Sequence, residues 1–152
     1  MKIVRSWKSW LAMVALAALT TAFATHRTAT PPQEITVWKS PSCGCCGKWV
    51  AYMREQGFKV TVVDMNDVTP VKRQHGIPEN LWSCHTAVVD GYIIEGHVPA
   101  PDITRLLREH PNVAGLAVPG MVTGSPGMEG GRAQPYDVVS FGDAKTQVYA
   151  HH

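Results

Sequence analysis

Hydrophobic and polar positions change period several times along this chain, and each change marks an element. Ile35-Thr36-Val37-Trp38 alternates as a strand does, its side chains pointing by turns to opposite faces. From Cys45 to Gln56 the pattern is helical, and Gly57 stands where such a helix would stop. Lys59 to Asp64 predicts a second strand, with Val60, Val62 and Val63 supplying β-branched bulk. Strand, helix and strand in that order form a βαβ unit, so the two strands are expected to be parallel. Val68 to His75 predicts a short helix with Pro70 in its first turn and Gly76 at its end. After a loop at Ile77-Pro78-Glu79-Asn80 come two short strands, Thr86 to Asp90 and Tyr92 to Glu95, around the hairpin signal Asp90-Gly91. Ala100 to His110 is the next helix, with Ile103, Leu106 and Leu107 on one apolar face and Pro111 ending the run.

The order βαβαββα is that of a single α/β domain of the thioredoxin-like kind, an open mixed sheet with flanking helices. Gly115 to Gly131 departs from it, being glycine-rich and aperiodic, with Pro119-Gly120-Met121 repeated as Pro126-Gly127-Met128. Such a stretch reads as a long Gly/Pro/Met loop, and loops beyond about 12 to 15 residues tend to be functional or disordered. Met121 and Met128 have two readings, as gap-fillers against the domain or as soft thioethers over a metal site. Tyr136 to Phe141 predicts a closing strand and Thr146 to Tyr149 a further one, leaving His151 and His152 as a solvated tail.

The N-terminal segment changes the compartment. Lys2, Arg5 and Lys8 precede an uncharged apolar run, Leu11 to Phe23, and Ala22-Phe23-Ala24 supplies the small-x-small pattern of a cleavage site. The run is shorter than the roughly 20 residues of a membrane-spanning helix. Residues 1–24 are therefore expected to be a signal peptide cut after Ala24, with an uncleaved anchor as the alternative, followed by a leader at 25–33 and a domain at 34–150. Cleavage removes three of fourteen basic residues and none of the twelve acidic ones, so eleven against twelve remain and the net charge moves from +2 to −1. A near-neutral domain without clustered Lys and Arg has no footprint for nucleic acid, and after signal removal none for a membrane.

Chemistry concentrates at Ser42-Cys43-Gly44-Cys45-Cys46-Gly47, which holds three of the four cysteines. It lies between a strand and a helix, where unpaired N–H groups and the helix dipole favour thiolates. Cys43 and Cys46 have the Cys-x-x-Cys spacing of a thiol–disulfide oxidoreductase, but Cys45 offers that couple competing disulfides. Cys84, just before the Thr86 strand, falls in a thioredoxin-like fold in the loop facing the helix start, so all four sulfurs can converge. Neighbouring helical residues point about 100° apart, which makes Cys45 and Cys46 awkward partners in one zinc tetrahedron. Bridging thiolates around several soft ions relieve this, and copper(I) favours sulfur. Metal binding, disulfide exchange and a purely structural disulfide with two spare thiols all stay open on these grounds. Among the histidines, His75 and His110 end helices, where positive charge is favourable, and neither needs another role. His85 adjoins Cys84 and is a candidate as a ligand or as a support to one. No Ser-His-Asp set, phosphate loop or carboxylate pair supports a hydrolase or phosphotransferase.

Trp38-Lys39-Ser40-Pro41-Ser42-Cys43-Gly44-Cys45-Cys46, Gly96-His97-Val98-Pro99-Ala100, Gly115 to Met121 and Gly124-Ser125-Pro126-Gly127-Met128-Glu129 together resemble the CopG-type copper-resistance proteins of bacterial envelopes. The resemblance spans about residues 34 to 141. It implies a periplasmic thioredoxin-like protein carrying a redox-active multinuclear copper–thiolate cluster, with Cys43, Cys45 and Cys46 as ligands. Cys84 joins them on position and chemistry, and His85 on adjacency, while His97 and the methionine loop are either site or architecture. The implied partners are copper ions, other envelope copper-resistance proteins or an electron donor. A copper carrier and a disulfide oxidoreductase are the alternatives to a copper-dependent redox role.

Overall fold

The computed structural model describes residues 32–142 and 145–152. The strand alternation read at the start of the domain holds: in β1 (Glu34–Lys39), Ile35 and Val37 are buried while Glu34 is exposed. β1 pairs in parallel with β2 (Lys59–Asp64) on one side and antiparallel with β3 (His85–Val89) on the other. Helix α1 (Gly44–Glu55) is the expected crossover between β1 and β2. A short helix α2 (Thr69–Gln74) and a single 3₁₀ turn at Glu79–Leu81 lead into β3, which forms a hairpin with β4 (Tyr92–Glu95). Asp90 and Gly91 have φ of 48° and 80°, the paired positive values of a tight hairpin turn whose twist matches its strands. Helix α3 (Ala100–Glu109) then returns the chain to β5 (Gly115–Ala117), parallel to β4, and β6 (Asp137–Phe141) and β7 (Gln147–His151) follow antiparallel. Among the described residues the result is one mixed sheet of order β2-β1-β3-β4-β5-β6-β7.

Its two faces are covered separately. Trp49, Val50 and Met53 of α1 and Ile103 and Leu106 of α3 pack with Ile35, Val37, Ala87, Ile94 and Leu116 in the main core. Ile93 and Ala117, one residue along from Ile94 and Leu116, point the other way and meet Ile77, Leu81 and Phe141. Removing one such buried aliphatic side chain from water contributes about 1.5–3 kcal/mol, so the α1 periodicity of Cys46, Trp49, Val50 and Met53 fixes that helix against the sheet.

Three stretches differ from the sequence expectation. The long loop begins with a strand: Gly115, Leu116 and Ala117 are all buried, and three residues are too few to display a period. Gly115 sits there because strand β4 leaves no room, a Cβ being 1.9 Å from the Ile93 carbonyl oxygen. The end of the chain is not a loose tail, since His152 exchanges two backbone hydrogen bonds with Tyr136 and its ring nitrogen Nε2 lies 2.7 Å from Asp102 Oδ2. Val63 adds little to the core, because β2 is a sheet edge and this side chain is 39% exposed. The predicted signal peptide, residues 1–24, lies outside the described residues, and among those described no helix is long and apolar enough to cross a membrane.

Gly115→Ala is expected to lower stability by at least about 2 kcal/mol, because the obstructing atom is backbone and the two strands must part. Urea melts of the metal-free protein check this, and an unchanged midpoint would show that β4 and β5 separate freely.

Candidate metal centre

Where β1 ends, the chain turns through Ser40–Ser42, closed by a Cys43 N–H to Ser40 carbonyl bond of 3.1 Å, and starts α1. Cys43 is the N-cap of that helix, its Sγ accepting from the Cys46 N–H at 3.3 Å. Cys43 and Cys46 are joined in a disulfide, and Cys45 and Cys84 are free. The adjacent cysteines diverge as helical geometry requires, Cys46 fully buried and Cys45 half-buried. Even so, Cys45 Sγ stands 3.5 Å from Cys43 Sγ and 3.9 Å from Cys84 Sγ. All four sulfurs lie within 4.8 Å of one another.

Cys84 arrives by strand pairing. Register sets His85 of β3 against Lys39, the last residue of β1, so the residue preceding β3 reaches the start of α1. The pairing of β3 with β4 delivers His97, which the sequence left open between site and architecture. In the β3–β4 hairpin Thr86 faces Glu95, the Gly96 N–H bonds to the His85 carbonyl just beyond the ladder, and Cys84 and His97 meet past it. His97 Nε2 is 3.0 Å from Cys84 Sγ, and its Nδ1 donates to the Pro126 carbonyl oxygen at 2.7 Å. A carbonyl only accepts, so this bond places the proton on Nδ1 and leaves the Nε2 lone pair facing the thiol. His85, also named from the sequence, is fully buried with Nδ1 3.4 Å from Cys84 Sγ, while its Nε2 has no hydrogen-bond partner among the described residues. Cys84, His85 and His97 thus form a second potential ligand group sharing one sulfur with the first. His75 and His110 sit at the ends of α2 and α3, as expected, and belong to neither group.

The glycine-rich loop is the wall of this site. Gly127 passes so close to α1 that a Cβ would lie 2.8 Å from the Trp49 nitrogen and 2.9 Å from the Cys45 carbonyl oxygen. Pro126 holds His97, and Gly120 bonds both to the Trp82 carbonyl and to the Ser83 hydroxyl, one residue from Cys84. Met121, at 62% exposed, fills no gap, whereas Met128 is half-buried.

Burial governs the protonation of these groups. The Cys84 thiol is pushed up to about 12, first by burial and then by neighbouring Cys45. Burial, His97 and the ammonium groups of Lys72 and Lys39 hold His85 well below the usual imidazole range. Burial also lowers His97, against the opposing pull of the Pro126 carbonyl and Glu129. Both imidazoles are therefore neutral, the form that ligates metals. With the Cys43–Cys46 disulfide reduced, four sulfurs and two neutral imidazoles make a soft donor set that suits copper(I) and leaves hard cations such as magnesium without oxygen ligands.

Two solved structures titled "Copper resistance protein copG", in forms 2 and 1, are each 45% identical to this sequence over 80% of it and 98% of their own chains, with TM-scores of 0.76 and 0.75. The chain belongs to the CopG family of copper resistance proteins. A family model described as a protein of unknown function, DUF411, matches residues 81–128, from the 3₁₀ turn before Cys84 to Met128. No curated protein matches. The CopG match thus includes the cysteine turn, which the family model does not.

Folding holds the Cys84 proton up to about pH 12, whereas an unfolded chain releases it near 9.0. The thiol therefore favours the native state below pH 9, and that advantage disappears as pH rises toward 12. Thermal melts of the metal-free disulfide form should fall across this window, and Cys84→Ala should fall less steeply. Parallel slopes for the two proteins would contradict the assignment.

Proposed function

We propose that this is an exported copper-handling protein whose thioredoxin-like scaffold holds a redox-active multinuclear copper(I)–thiolate cluster, assisting copper resistance in the bacterial envelope. The observation that carries this reading is the convergence of Cys43, Cys45, Cys46 and Cys84 within 4.8 Å, with His85 and His97 touching the last of them. Sulfurs so close are better shared between metal ions than assigned one set to each, and thiolate is the protein ligand that bridges copper(I). His97 is added here to the ligand candidates because its unprotonated Nε2 faces Cys84 Sγ. In this reading the Cys43–Cys46 disulfide takes up two electrons before copper enters, yielding two thiolates, and an envelope electron donor supplies them.

A thiol–disulfide oxidoreductase is the second reading, favoured by that same disulfide at the N-terminus of α1. A copper carrier is the third, and the exposed thioether of Met121 favours it.

Anaerobic titration of the reduced, tag-free mature chain separates the first two. More than one copper(I) per chain is expected. Less than one, together with efficient reduction of a test disulfide, makes the protein an oxidoreductase. Cys84→Ser replaces a soft thiolate with a neutral hydroxyl and should weaken copper(I) binding at least about tenfold or lower its stoichiometry, with little change in apo stability. Full copper uptake with a much lower melting point would instead make Cys84 a packing residue. For export, intact-mass measurement of envelope material should find a chain beginning at Thr25, and recovery of only full-length membrane-bound protein would contradict cleavage after Ala24.

A further inference from the structure

Lys72 and Glu95 form an ion pair that the copper chemistry above does not use. Their side chains are 3% and 0% exposed, with Lys72 Nζ 2.5 Å from Glu95 Oε1. Lys72 comes from α2 and Glu95 from the end of β4, so two elements on either side of the β3 entrance are tied together. The remaining bonds all go to the segment that carries Cys84. Glu95 Oε1 also accepts from the Ser83 backbone N–H at 2.5 Å, Glu95 Oε2 accepts from the Thr86 hydroxyl at 2.7 Å, and Lys72 donates to that hydroxyl oxygen at 3.0 Å. The pair therefore grips the chain one residue before Cys84 and two residues after it. A third tie, from the Gly96 N–H to the His85 carbonyl, closes the bracket.

Stability alone gives a poor account of this arrangement. Desolvating two opposite charges consumes much of what their attraction returns, and apolar residues of similar volume commonly hold a core as well or better. What an apolar pair lacks is direction: it offers no acceptor to the Ser83 N–H and no partner to the Thr86 hydroxyl. The bonds are also well matched, because the Glu95 carboxylate has a partner on each oxygen.

We propose that Lys72 and Glu95 are positioning residues that fix the Ser83–Thr86 segment, and with it Cys84 and His85, against the three cysteines at the start of α1. The proposal deepens the copper reading and rests on it for its purpose, while the positioning itself is measurable without metal. In this account the pair supplies the rigidity that lets a sulfur 38 residues from Cys46 hold station beside it.

The test uses the full mature domain with Cys45→Ala, oxidised so that Cys43 and Cys46 are bonded and Cys84 is the one free thiol. Lys72→Met/Glu95→Met removes both charges together and leaves neither unpaired. Its apo melting temperature is expected to fall, because the Ser83 N–H and the Thr86 hydroxyl lose their partners, while the chain stays folded at room temperature and the rate at which iodoacetamide alkylates Cys84 rises about tenfold as the segment opens. In the four-cysteine protein the same double substitution should weaken copper(I) binding about tenfold, comparably to losing the Cys84 sulfur. Alkylation within about twofold of the parent in a folded double variant overturns the proposal, because the segment then holds its place without the pair. Should the double variant not fold, Thr86→Val carries the decision: about a threefold faster alkylation supports the bracket, and an unchanged rate removes it. If the parent itself binds no copper(I), the functional reading fails, and the alkylation rates still decide whether the pair positions Cys84.

Discussion

Backbone pairing of β3 between β1 and β4 is the constraint on which the site depends. β3 runs antiparallel to both neighbours, so its first residues lie beside the last residue of β1 and the first residues beyond β4. The end of β1 leads directly into the cysteine turn, and the residues beyond β4 include His97. Three segments far apart in sequence thus deliver Cys43, Cys45 and Cys46, then Cys84 and His85, and then His97 to one end of the sheet. A one-residue slip would reverse which face every β3 side chain meets, and Ala87 and Val89, both on the main-core face, oppose such a slip. The hydrophobic core therefore enforces the register that the site requires.

The polar groups gathered there have to be accommodated out of water. The imidazoles meet this demand by staying neutral, and Cys84 by keeping its proton in the absence of metal. Lys72 and Glu95 meet it differently, as opposite charges with hydrogen-bond partners on both carboxylate oxygens. The glycine-rich loop completes the enclosure. Its Gly127 lets one backbone lie against another at the first turn of α1, and its Pro126 carbonyl determines which nitrogen of His97 faces sulfur. A loop without sequence periodicity is consequently as determined in structure as the strands, by close approach and by hydrogen bonds to fixed partners.

Much of the fold was legible because long-period signals survive in the sequence. The alternation of Ile35 and Val37, the helical spacing of Trp49, Val50 and Met53, and Asp90-Gly91 at the hairpin each reports a local preference that the core reinforces. β5 was hidden because Gly115-Leu116-Ala117 is short and its glycine answers a tertiary demand from Ile93. The convergence of Cys84 with the cysteine turn could be read from topology, since a strand antiparallel to β1 must begin where β1 ends. His97 was within reach of the same reasoning. Counting outward from the turn pairs Val89 with Tyr92 and Thr86 with Glu95, and continuing past the ladder brings Cys84 to His97. The Lys72–Glu95 pair was not legible. A lysine in a short polar helix and a glutamate at a strand end both read as solvated until the packing places them together.

Under the proposed function disulfide and copper compete for the same atoms, and this links the site's chemistry to its architecture. Cys43 and Cys46 cannot be bonded to each other and also serve a metal as two thiolates, so the oxidation state of this pair decides whether the proposed site offers two sulfurs or four. Cys45 and Cys84 stay as free thiols in the oxidised form, already placed 3.9 Å apart by the helix start and the strand start. Reduction therefore requires no large rearrangement of the backbone to complete the donor set. Under the proposed function, the metal-binding and disulfide readings are two states of one group of cysteines, separated by two electrons, on a frame of strands whose register is set elsewhere.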